Sequence, residues 1–499
     1  MVTPAALAGG PELELPGPEL EPPERPLEPE PDEPLLPRPR RRWFELDELE
    51  AASSERFARR WTVLRITSVR TSSVGWPALL DAGWAGPLGC DSAAAAPTPP
   101  MAAIVPSAVS RFSCEVMRQG SGGAGQRTAN RLQSLGKAVS VGAVPDPLRA
   151  AVIGYGLAGS VFHAPLVASV EGMEVAAIVT GNPERRAQAE REHPGATLYA
   201  AADELWADAA RYDLAVVATA NRVHADLSVA AIEAGLAVVV DKPMAANIRD
   251  AEHVAEAASH AGRMLTVFHN RRWDADFLTV RRLVDEGVLG DLTRLESRFD
   301  RFRPAPKEGA WREAPGPDGA GGVLWDLGPH LIDQACVLFG DPTHLYAESD
   351  ARRPGAAVDD DAFVALRFAG GQVAHLWMSQ TAPIAGPRVR VSGLGGAYQH
   401  DAVDPQEDQL KAGLRPGDPE WGGEPPERYG RLVTGGEAPR EVPVSSERGA
   451  WQTYYERVRD ALRGNGPPPV DPADGVRAVK LVEVAHTAAR RGQAVQLSA

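Results

Sequence analysis

Three residues of this sequence have the types and the spacing needed to move a proton and stabilise charge on an oxygen atom. Asp326 and His330 lie four residues apart in the segment GGVLWDLGPHLID, so on a helix they would share one face. A carboxylate beside an imidazole raises its basicity and fixes its tautomer. Such a histidine can accept the proton of a hydroxyl group as a hydride leaves the same carbon. We therefore expect Asp326 to orient His330; a surface histidine near a helix start is the alternative.

Lys242 is the third of these residues, and it follows the apolar run Leu236–Val240 within Asp241-Lys242-Pro243. The chain has only five lysines against 47 arginines, so each lysine is informative. Ligands of parallel sheets bind at the carboxyl ends of the strands. A partly dehydrated ammonium there would stabilise a substrate alkoxide and donate a hydrogen bond to it. The alternative is an isolated surface lysine.

A glycine-rich turn, Gly154-Tyr155-Gly156-Leu157-Ala158-Gly159, follows the apolar run Ala150–Ile153 and precedes an amphipathic stretch. Strand, turn and helix in this order are typical of a dinucleotide-binding site, in which the pyrophosphate lies at the helix N-terminus. The motif alone is weak in a glycine-rich chain, but the flanking elements support it. An ordinary glycine-rich turn is the alternative.

The end of the second predicted strand indicates the choice of cofactor. A carboxylate at this position would bind the ribose 2′-hydroxyl of NAD. Here the strand ends in Thr180, with Asn182, Arg185 and Arg186 following, and either arginine could neutralise a 2′-phosphate. We therefore favour NADP(H) and keep NAD(H) as a second possibility, the alternative being a solvated arginine at a helix start.

The third predicted strand ends in small residues that would let the backbone approach a nicotinamide ribose, and His224 opens the next helix. The predicted cofactor-binding residues are Gly154, Gly156, Leu157, Ala158, Gly159, Thr180, Asn182, Arg185, Ala218, Thr219, Ala220, Asn221, His224, Asp241 and Lys242. The predicted substrate-binding residues are Lys242, Arg271, Asp326 and His330. No set of residues has convincing metal-ligand spacing.

Strand-like and helical segments alternate from Arg149 onward, which predicts βαβ units and a doubly wound parallel sheet. After Phe268 the pattern changes to helices and strand–turn repeats that indicate an α+β domain with an open, mainly antiparallel sheet. We therefore expect three parts: a low-complexity, disordered extension over residues 1–147, a Rossmann domain over 148–269, and an α/β domain over 270–499. The proline- and glutamate-rich start of the chain supports the first of these expectations.

The composition excludes several classes of partner. A net charge of −15 disfavours nucleic acid. The sequence contains no run of 18 apolar residues, so it predicts no membrane span. The N-terminus lacks the basic and then apolar pattern of a signal peptide. Three cysteines fit neither a zinc site nor a disulfide framework. We expect a cytoplasmic protein.

Several stretches together resemble the Gfo/Idh/MocA family, the glucose–fructose oxidoreductases and inositol dehydrogenases. They are GYGLAGSVFHAPL, ATANRVH, Asp241-Lys242-Pro243 and GGVLWDLGPHLID, within residues 149–498. The resemblance implies a Rossmann domain, a C-terminal domain whose sheet forms homo-oligomers, Lys242 as catalytic lysine, and Asp326 with His330 as acid–base pair. Asp241 stands where the family usually has Glu. The segments FHAPL and DPQEDQLK resemble the NADP-dependent scyllo-inositol dehydrogenase branch.

Three functions remain compatible with these patterns. The first is an NADP(H)-dependent dehydrogenase that transfers a hydride to or from a secondary hydroxyl or ketone of a cyclic polyol or sugar, such as an inositol. The second is a non-catalytic nucleotide- or sugar-binding regulator on the same fold. The third is a glycosidase that uses bound NAD as a redox intermediate. Retention of Lys242, Asp326 and His330 favours the first.

Overall fold

The computed structural model describes residues 146–497, apart from residues 308, 314, 316–319 and 437. The expectation of a disordered extension over residues 1–147 lies almost entirely outside the described residues. The sequence also suggests a short strand over Trp61–Val69, which lies outside the described residues. The description below therefore concerns the part of the chain that carries the predicted site.

The first layer is a six-stranded parallel sheet in the order β3-β2-β1-β4-β5-β6. Its strands are β1 (Leu148–Ile153), β2 (Met173–Val179), β3 (Thr197–Tyr199), β4 (Leu214–Val217), β5 (Ala237–Val240) and β6 (Leu265–Val267). Every residue of β4 and β5 is buried, as expected for apolar strands covered on both faces. Because β1 pairs with both β2 and β4, the strand order reverses there and a crevice opens beyond the carboxyl ends.

Helices connect these strands and cover the sheet. They are α1 (Ala164–Ala168), α2 (Pro183–Glu192), α3 (Ala202–Ala207), α4 (His224–Glu233) and α5 (Ile248–Ala261). A π-helical turn, Ala158–His163, precedes α1 and continues directly into it. The alternation of strands and helices and the doubly wound parallel sheet are confirmed.

The second layer is a nine-stranded sheet in the order β14-β13-β12-β11-β7-β10-β9-β8-β15. Its strands are β7 (Leu292–Asp300), β8 (Pro342–Asp350), β9 (Asp361–Phe368), β10 (Val373–Ser379), β11 (Val389–Gly393), β12 (Gly396–His400), β13 (Gly430–Thr434), β14 (Arg440–Val444) and β15 (Val495–Gln496). Only the pair β7–β10 is parallel, and the other neighbours run antiparallel. The predicted open, mainly antiparallel sheet is therefore confirmed.

Five helices accompany this sheet: α6 (Ala275–Asp285), α7 (Val323–Phe339), α8 (Gln406–Lys411), α9 (Gln452–Leu462) and α10 (Pro472–Arg491). Helix α7 lies against β7, β9 and β10, and α10 contacts α5, α7 and β8. Most of α7 is buried, which fixes the face that carries Asp326 and His330. Helix α10 thereby connects the two layers.

Several elements lie in segments for which no element was predicted. Strands β3, β8, β12, β13, β14 and β15 and helices α3 and α9 were missed, and α8 lies in the segment 401–429 that the sequence predicted to be a polar loop. The strands bury one face only, so their apolar signal is thin: β12, for example, buries Tyr398 and His400. Helix α8 buries only Gln406 and Leu410.

Candidate active site

Lys242, Asp326 and His330 line one cavity of about 210 Å³ beyond the carboxyl ends of the parallel strands. Leu157 and Ala158 of the glycine-rich turn line the same cavity. The structure therefore brings the predicted catalytic residues to the predicted dinucleotide turn. A larger hollow of about 510 Å³ contains none of the predicted catalytic side chains, so size alone does not mark the site.

The glycine-rich turn is shaped by close backbone contacts. Gly154 has a φ of +94°, and a Cβ atom there would lie 2.5 Å from the carbonyl oxygen of Ala218 and 2.9 Å from Cγ2 of Thr219. A Cβ atom on Gly159 would lie 1.9 Å from the Gly154 carbonyl oxygen, so neither position tolerates a side chain. At Gly156 the nearest protein atom would be 3.7 Å away. The space above Gly156 is what a pyrophosphate requires.

Residues after β2 lie beside this turn. The closest atom to a Cβ built on Gly156 belongs to the Arg185 guanidinium. Asn182 caps α2 by accepting a hydrogen bond from the Arg185 backbone N–H at 3.0 Å, so its side-chain oxygen is already engaged. Thr180 is 7% exposed, and its backbone N–H donates to the Tyr199 carbonyl. The arginine is thus placed where it can reach an anionic cofactor.

The residues that follow β4 do not line the cavity, but they hold neighbouring segments of the site in place. Ala220 precedes a short 3₁₀ turn that begins at Asn221. The Asn221 amide is buried and donates to the Ala320 carbonyl at 3.0 Å, which ties this turn to the loop before α7. His224 is buried between the carbonyl oxygens of Pro243 and Thr219, at 2.8 and 3.2 Å. Burial lowers the pKa of His224, although Asp241 opposes the shift. His224 therefore connects the ends of β4 and β5.

Lys242 is held by helix α7. Its Nζ donates to the Asp326 backbone oxygen at 2.5 Å and to Asp326 Oδ1 at 3.0 Å, and Arg312 Nε donates to the same oxygen at 3.1 Å. Burial alone would raise the pKa of Asp326, but Lys242 and Arg312 outweigh it and hold that pKa well below its usual range. Two of the three ammonium donors are thus used, and one is left for a ligand.

Asp241 fixes the backbone of this lysine, because its Oδ1 accepts the Lys242 backbone N–H at 2.8 Å. The shorter carboxylate at this position therefore still contacts the lysine. Burial would raise the pKa of Asp241, but His163 and Lys242 lower it on balance. Asp241 thus provides a negative charge at the end of β5.

His330 does not have the partner that the sequence analysis predicted. Among the described residues, no side chain hydrogen-bonds its buried Nδ1, and Asp326 bonds Lys242 and Arg312 instead. Burial lowers the pKa of His330 well below its usual value of 6.5, and Lys242 and Arg271 lower it further. The expectation of a more basic histidine oriented by Asp326 was therefore wrong. A neutral imidazole at neutral pH is nevertheless a competent proton acceptor.

Arg271 lies in the cavity wall within a buried ionic cluster. Its guanidinium donates to Asp274 at 3.0 Å and to Glu407 at 3.4 Å, and it stacks 4.7 Å from the Phe299 ring. Burial raises the pKa of Asp274 to about 6, an effect that Arg271 opposes. Arg271 is thus fixed in place, with its buried Nε lacking a hydrogen-bond partner in the described structure.

The sequence analysis missed most of the positively charged side chains that line the cavity. Arg301, Arg303, Arg312 and Lys411 all line the cavity, and none was predicted as a site residue. The scarcity of lysine is a signal that could have identified Lys411. The three arginines follow β7 in a Pro/Gly-rich loop, and only the folded chain shows that they converge.

The described residues contain no group of three or more His, Cys, Asp or Glu side chains that could hold a metal ion. In the same part of the chain, no helix has the length and apolar character needed to cross a membrane. The residues fit a dinucleotide instead: a tight glycine turn with free space above it, an arginine beside it, and a lysine and a histidine in the adjoining cavity. Fold and site together define a nucleotide-dependent oxidoreductase.

Comparison with known proteins agrees with this class. Residues 148–269 match the NAD-binding Rossmann fold of the Gfo/Idh/MocA oxidoreductase family, and residues 281–497 match its C-terminal alpha/beta domain. The scyllo-inositol 2-dehydrogenase (NADP(+)) IolW of Bacillus subtilis is 34% identical over 353 residues, which is 70% of this chain and 96% of that protein. The oxidoreductase YdgJ of Escherichia coli is 38% identical over 345 residues, 69% of this chain and 97% of that protein. This chain belongs to the Gfo/Idh/MocA oxidoreductase family.

Solved structures agree as well. The oxidoreductase YvaA of Bacillus subtilis superposes with a TM-score of 0.67 at 34% identity, over 71% of this chain and 99% of that one. The oxidoreductase YPO2259 of Yersinia pestis gives a TM-score of 0.66 at 34% identity with the same coverage. The similarity thus spans nearly the whole of each relative.

Proposed function

We propose that this enzyme transfers a hydride between NADP(H) and a secondary hydroxyl or ketone of a cyclic polyol or sugar. The observation that carries the proposal is the convergence of Lys242 and His330 with the Gly154–Gly159 turn around one cavity. A nucleotide-binding regulator would need the turn but not a half-buried lysine and a neutral histidine facing the same space.

The bound cofactor supplies the hydride acceptor for oxidation and the donor for reduction. The remaining ammonium donor of Lys242 binds the reacting oxygen and stabilises the negative charge that develops there. In oxidation, the hydroxyl proton passes to His330, whose imidazole is neutral because burial lowers its pKa. Loss of that proton and of the carbinol hydride leaves the ketone.

We assign Asp326 a positioning role rather than the role of partner to His330. Its carboxylate and its backbone oxygen both accept hydrogen bonds from the Lys242 ammonium, so they fix where that charge lies. Arg312 binds the same carboxylate and keeps it ionised. Because the Lys242 ammonium is already fixed in position, it can bind a substrate oxygen without rearrangement of the surrounding side chains during the reaction.

NADP is favoured over NAD because the end of β2 carries Thr180 instead of a carboxylate and because Arg185 lies over the turn. The related IolW is a scyllo-inositol 2-dehydrogenase named for NADP(+), which supports the same cofactor and a cyclic polyol as substrate. NAD remains the second cofactor to be tested.

The test is a panel of inositols, pentoses and hexoses assayed for cofactor reduction with NADP and with NAD. We expect turnover of at least one cyclic polyol or sugar, with NADP preferred. Cofactor binding without turnover of any substrate would favour the regulator. Product formation without release of reduced cofactor would favour a glycosidase that uses bound NAD.

We further propose that the enzyme is cytoplasmic and forms homo-oligomers through the face of the nine-stranded sheet that α7 does not cover. Aromatic side chains cluster on β9 and β10, where the rings of Phe363 and Trp377 lie 5.2 Å apart. Light scattering of Trp377→Glu against the wild type tests the oligomer. A dissociated variant is expected, and an unchanged mass would rule out this face.

A further inference from the structure

The catalytic cavity is strongly cationic although the whole chain is acidic. Its lining contains six cationic side chains, Lys242, Arg271, Arg301, Arg303, Arg312 and Lys411, against the three carboxylates Asp241, Asp326 and Glu407. The net charge of the chain is −15, so this excess is local. A cavity whose charge opposes that of the protein concentrates anionic ligands.

Most of these cations already have carboxylate partners. Lys242 and Arg312 share Asp326 at 3.0 and 3.1 Å. Lys411 lies 2.6 Å from Glu407, and Arg271 lies 3.4 Å from the same carboxylate. Each of these four side chains therefore has a carboxylate partner within the protein.

Arg301 and Arg303 are different. Within the described ranges, neither guanidinium is paired with a carboxylate or hydrogen-bonded to another side chain. Arg301 is half-buried, and burial lowers its pKa; Arg303 lowers it further, while Asp326 opposes the shift. Removing a charge from water without a partner is unfavourable, so a ligand anion would stabilise this arginine.

The backbone explains why both arginines line the cavity. Beyond β7 the chain stays extended, because the N–H groups of Arg301 and Arg303 donate to the carbonyls of Ser379 and Gln380. Alternate residues of an extended segment point to the same side. Phe302, between them, is 59% exposed on the opposite side. Both side chains line the cavity, with Arg301 half-buried and Arg303 exposed.

We propose that the substrate carries an anionic oxyacid group, phosphate or carboxylate, which Arg301 and Arg303 bind while Lys242 and His330 act on a hydroxyl group of the same molecule. Arginine suits this role because its planar donors match both phosphate and carboxylate geometry. The inference rests on the proposed function. It narrows the substrate class from polyols and sugars in general to those that carry an acidic group.

The experiment compares the three members of a matched substrate set at saturating NADP. They are a neutral polyol or hexose, the corresponding uronate, and the corresponding phosphate ester. Wild type is compared with Arg301→Gln, Arg303→Gln and the double variant. Arg249→Gln is the matched control, because Arg249 is exposed on α5 and lies outside the cavity wall. Both kcat/KM and binding by calorimetry are measured.

We expect the wild type to favour an acidic substrate by about tenfold or more, and each single variant to lose about tenfold of that preference. The neutral substrate should change little, so the ratio of the two efficiencies separates recognition from general damage. The preference of the uronate over the phosphate ester, or the reverse, identifies the anion. The Arg249→Gln control should retain the full preference.

Equal efficiency with neutral and acidic substrates in the wild type would overturn the inference and leave the proposed function intact. Weakened NADP binding with an unchanged substrate preference would overturn it as well, because the arginines would then serve the cofactor. If no compound is turned over, the proposed function fails separately. Calorimetry still decides the inference in that case, since equal binding of the neutral and acidic members contradicts it.

Discussion

The dinucleotide turn and the catalytic cavity lie at the same edge of the parallel sheet, but different groups build them. The turn depends on backbone: Gly154 and Gly159 leave no room for a Cβ atom, and free space remains above Gly156. The cavity depends on charged side chains, such as Lys242 held by Asp326. Changes in the first region should therefore alter cofactor binding, and changes in the second should alter turnover.

The largest effect is expected in the cavity. Lys242→Ala and His330→Ala should each lower kcat by about 10²–10⁴-fold, because one removes charge stabilisation and the other removes the proton acceptor. Cofactor affinity, measured by fluorescence titration, should stay within a few-fold of wild type. Lys480→Ala, at an exposed position on α10, is the matched control. Near-native kcat in both variants would reject the assigned roles.

The turn should show the opposite pattern. In Gly159→Ala the new methyl group would lie 1.9 Å from a backbone oxygen, so the turn must shift and NADPH affinity should fall by about tenfold or more. Gly195→Ala is the control, because nothing lies within 4 Å of its Cβ position. Thermal melting checks that the variant is folded. Wild-type affinity in a folded Gly159→Ala protein would contradict this account of the turn.

Asp326 provides a sharper test within the cavity. If it acts through Lys242, Asp326→Asn should lower kcat by about tenfold in the wild type but add little to Lys242→Ala. In the His330→Ala background its full effect should persist. A double-mutant cycle on kcat measures both couplings. Strong coupling to His330 with none to Lys242 would restore the acid–base pair that the sequence suggested.

The smallest effect concerns cofactor choice. Thr180→Asp should shift preference from NADP towards NAD by about threefold to tenfold, because a carboxylate binds a 2′-hydroxyl and repels a 2′-phosphate. Arg185→Gln should weaken NADP binding while leaving NAD binding nearly unchanged. Arg191→Gln, exposed near the end of the same helix, is the control. Equal use of NAD by the wild type would remove the basis of this prediction.

The sequence predicted the parallel sheet well because strands such as β4 and β5 are buried on both faces and are apolar throughout. The outer strands of the second sheet bury alternate residues only, and β14 buries none completely, so they escaped prediction. Burial of both faces therefore made β4 and β5 easy to recognise, whereas strands such as β9 were recognised from alternating apolar residues.

The site residues were predictable where they lie next to a recognisable strand in the sequence. The glycine turn and Lys242 each follow a readable strand. The partner of Asp326 was not predictable, because helical spacing places His330 on the same face while Lys242 approaches from another layer. Likewise, Arg301 and Arg303 become site residues only when the chain beyond β7 pairs alongside residues 379–382.

The central claim is that Lys242 and His330 serve a hydride transfer between a carbinol carbon and the nicotinamide. Its most direct test uses the best substrate of the panel, deuterated at the reacting carbon, with wild-type enzyme and NADP. The account predicts one deuterium in each released NADPH, with a slower rate than for the unlabelled substrate. Product that forms while the released cofactor stays oxidised and unlabelled would contradict it.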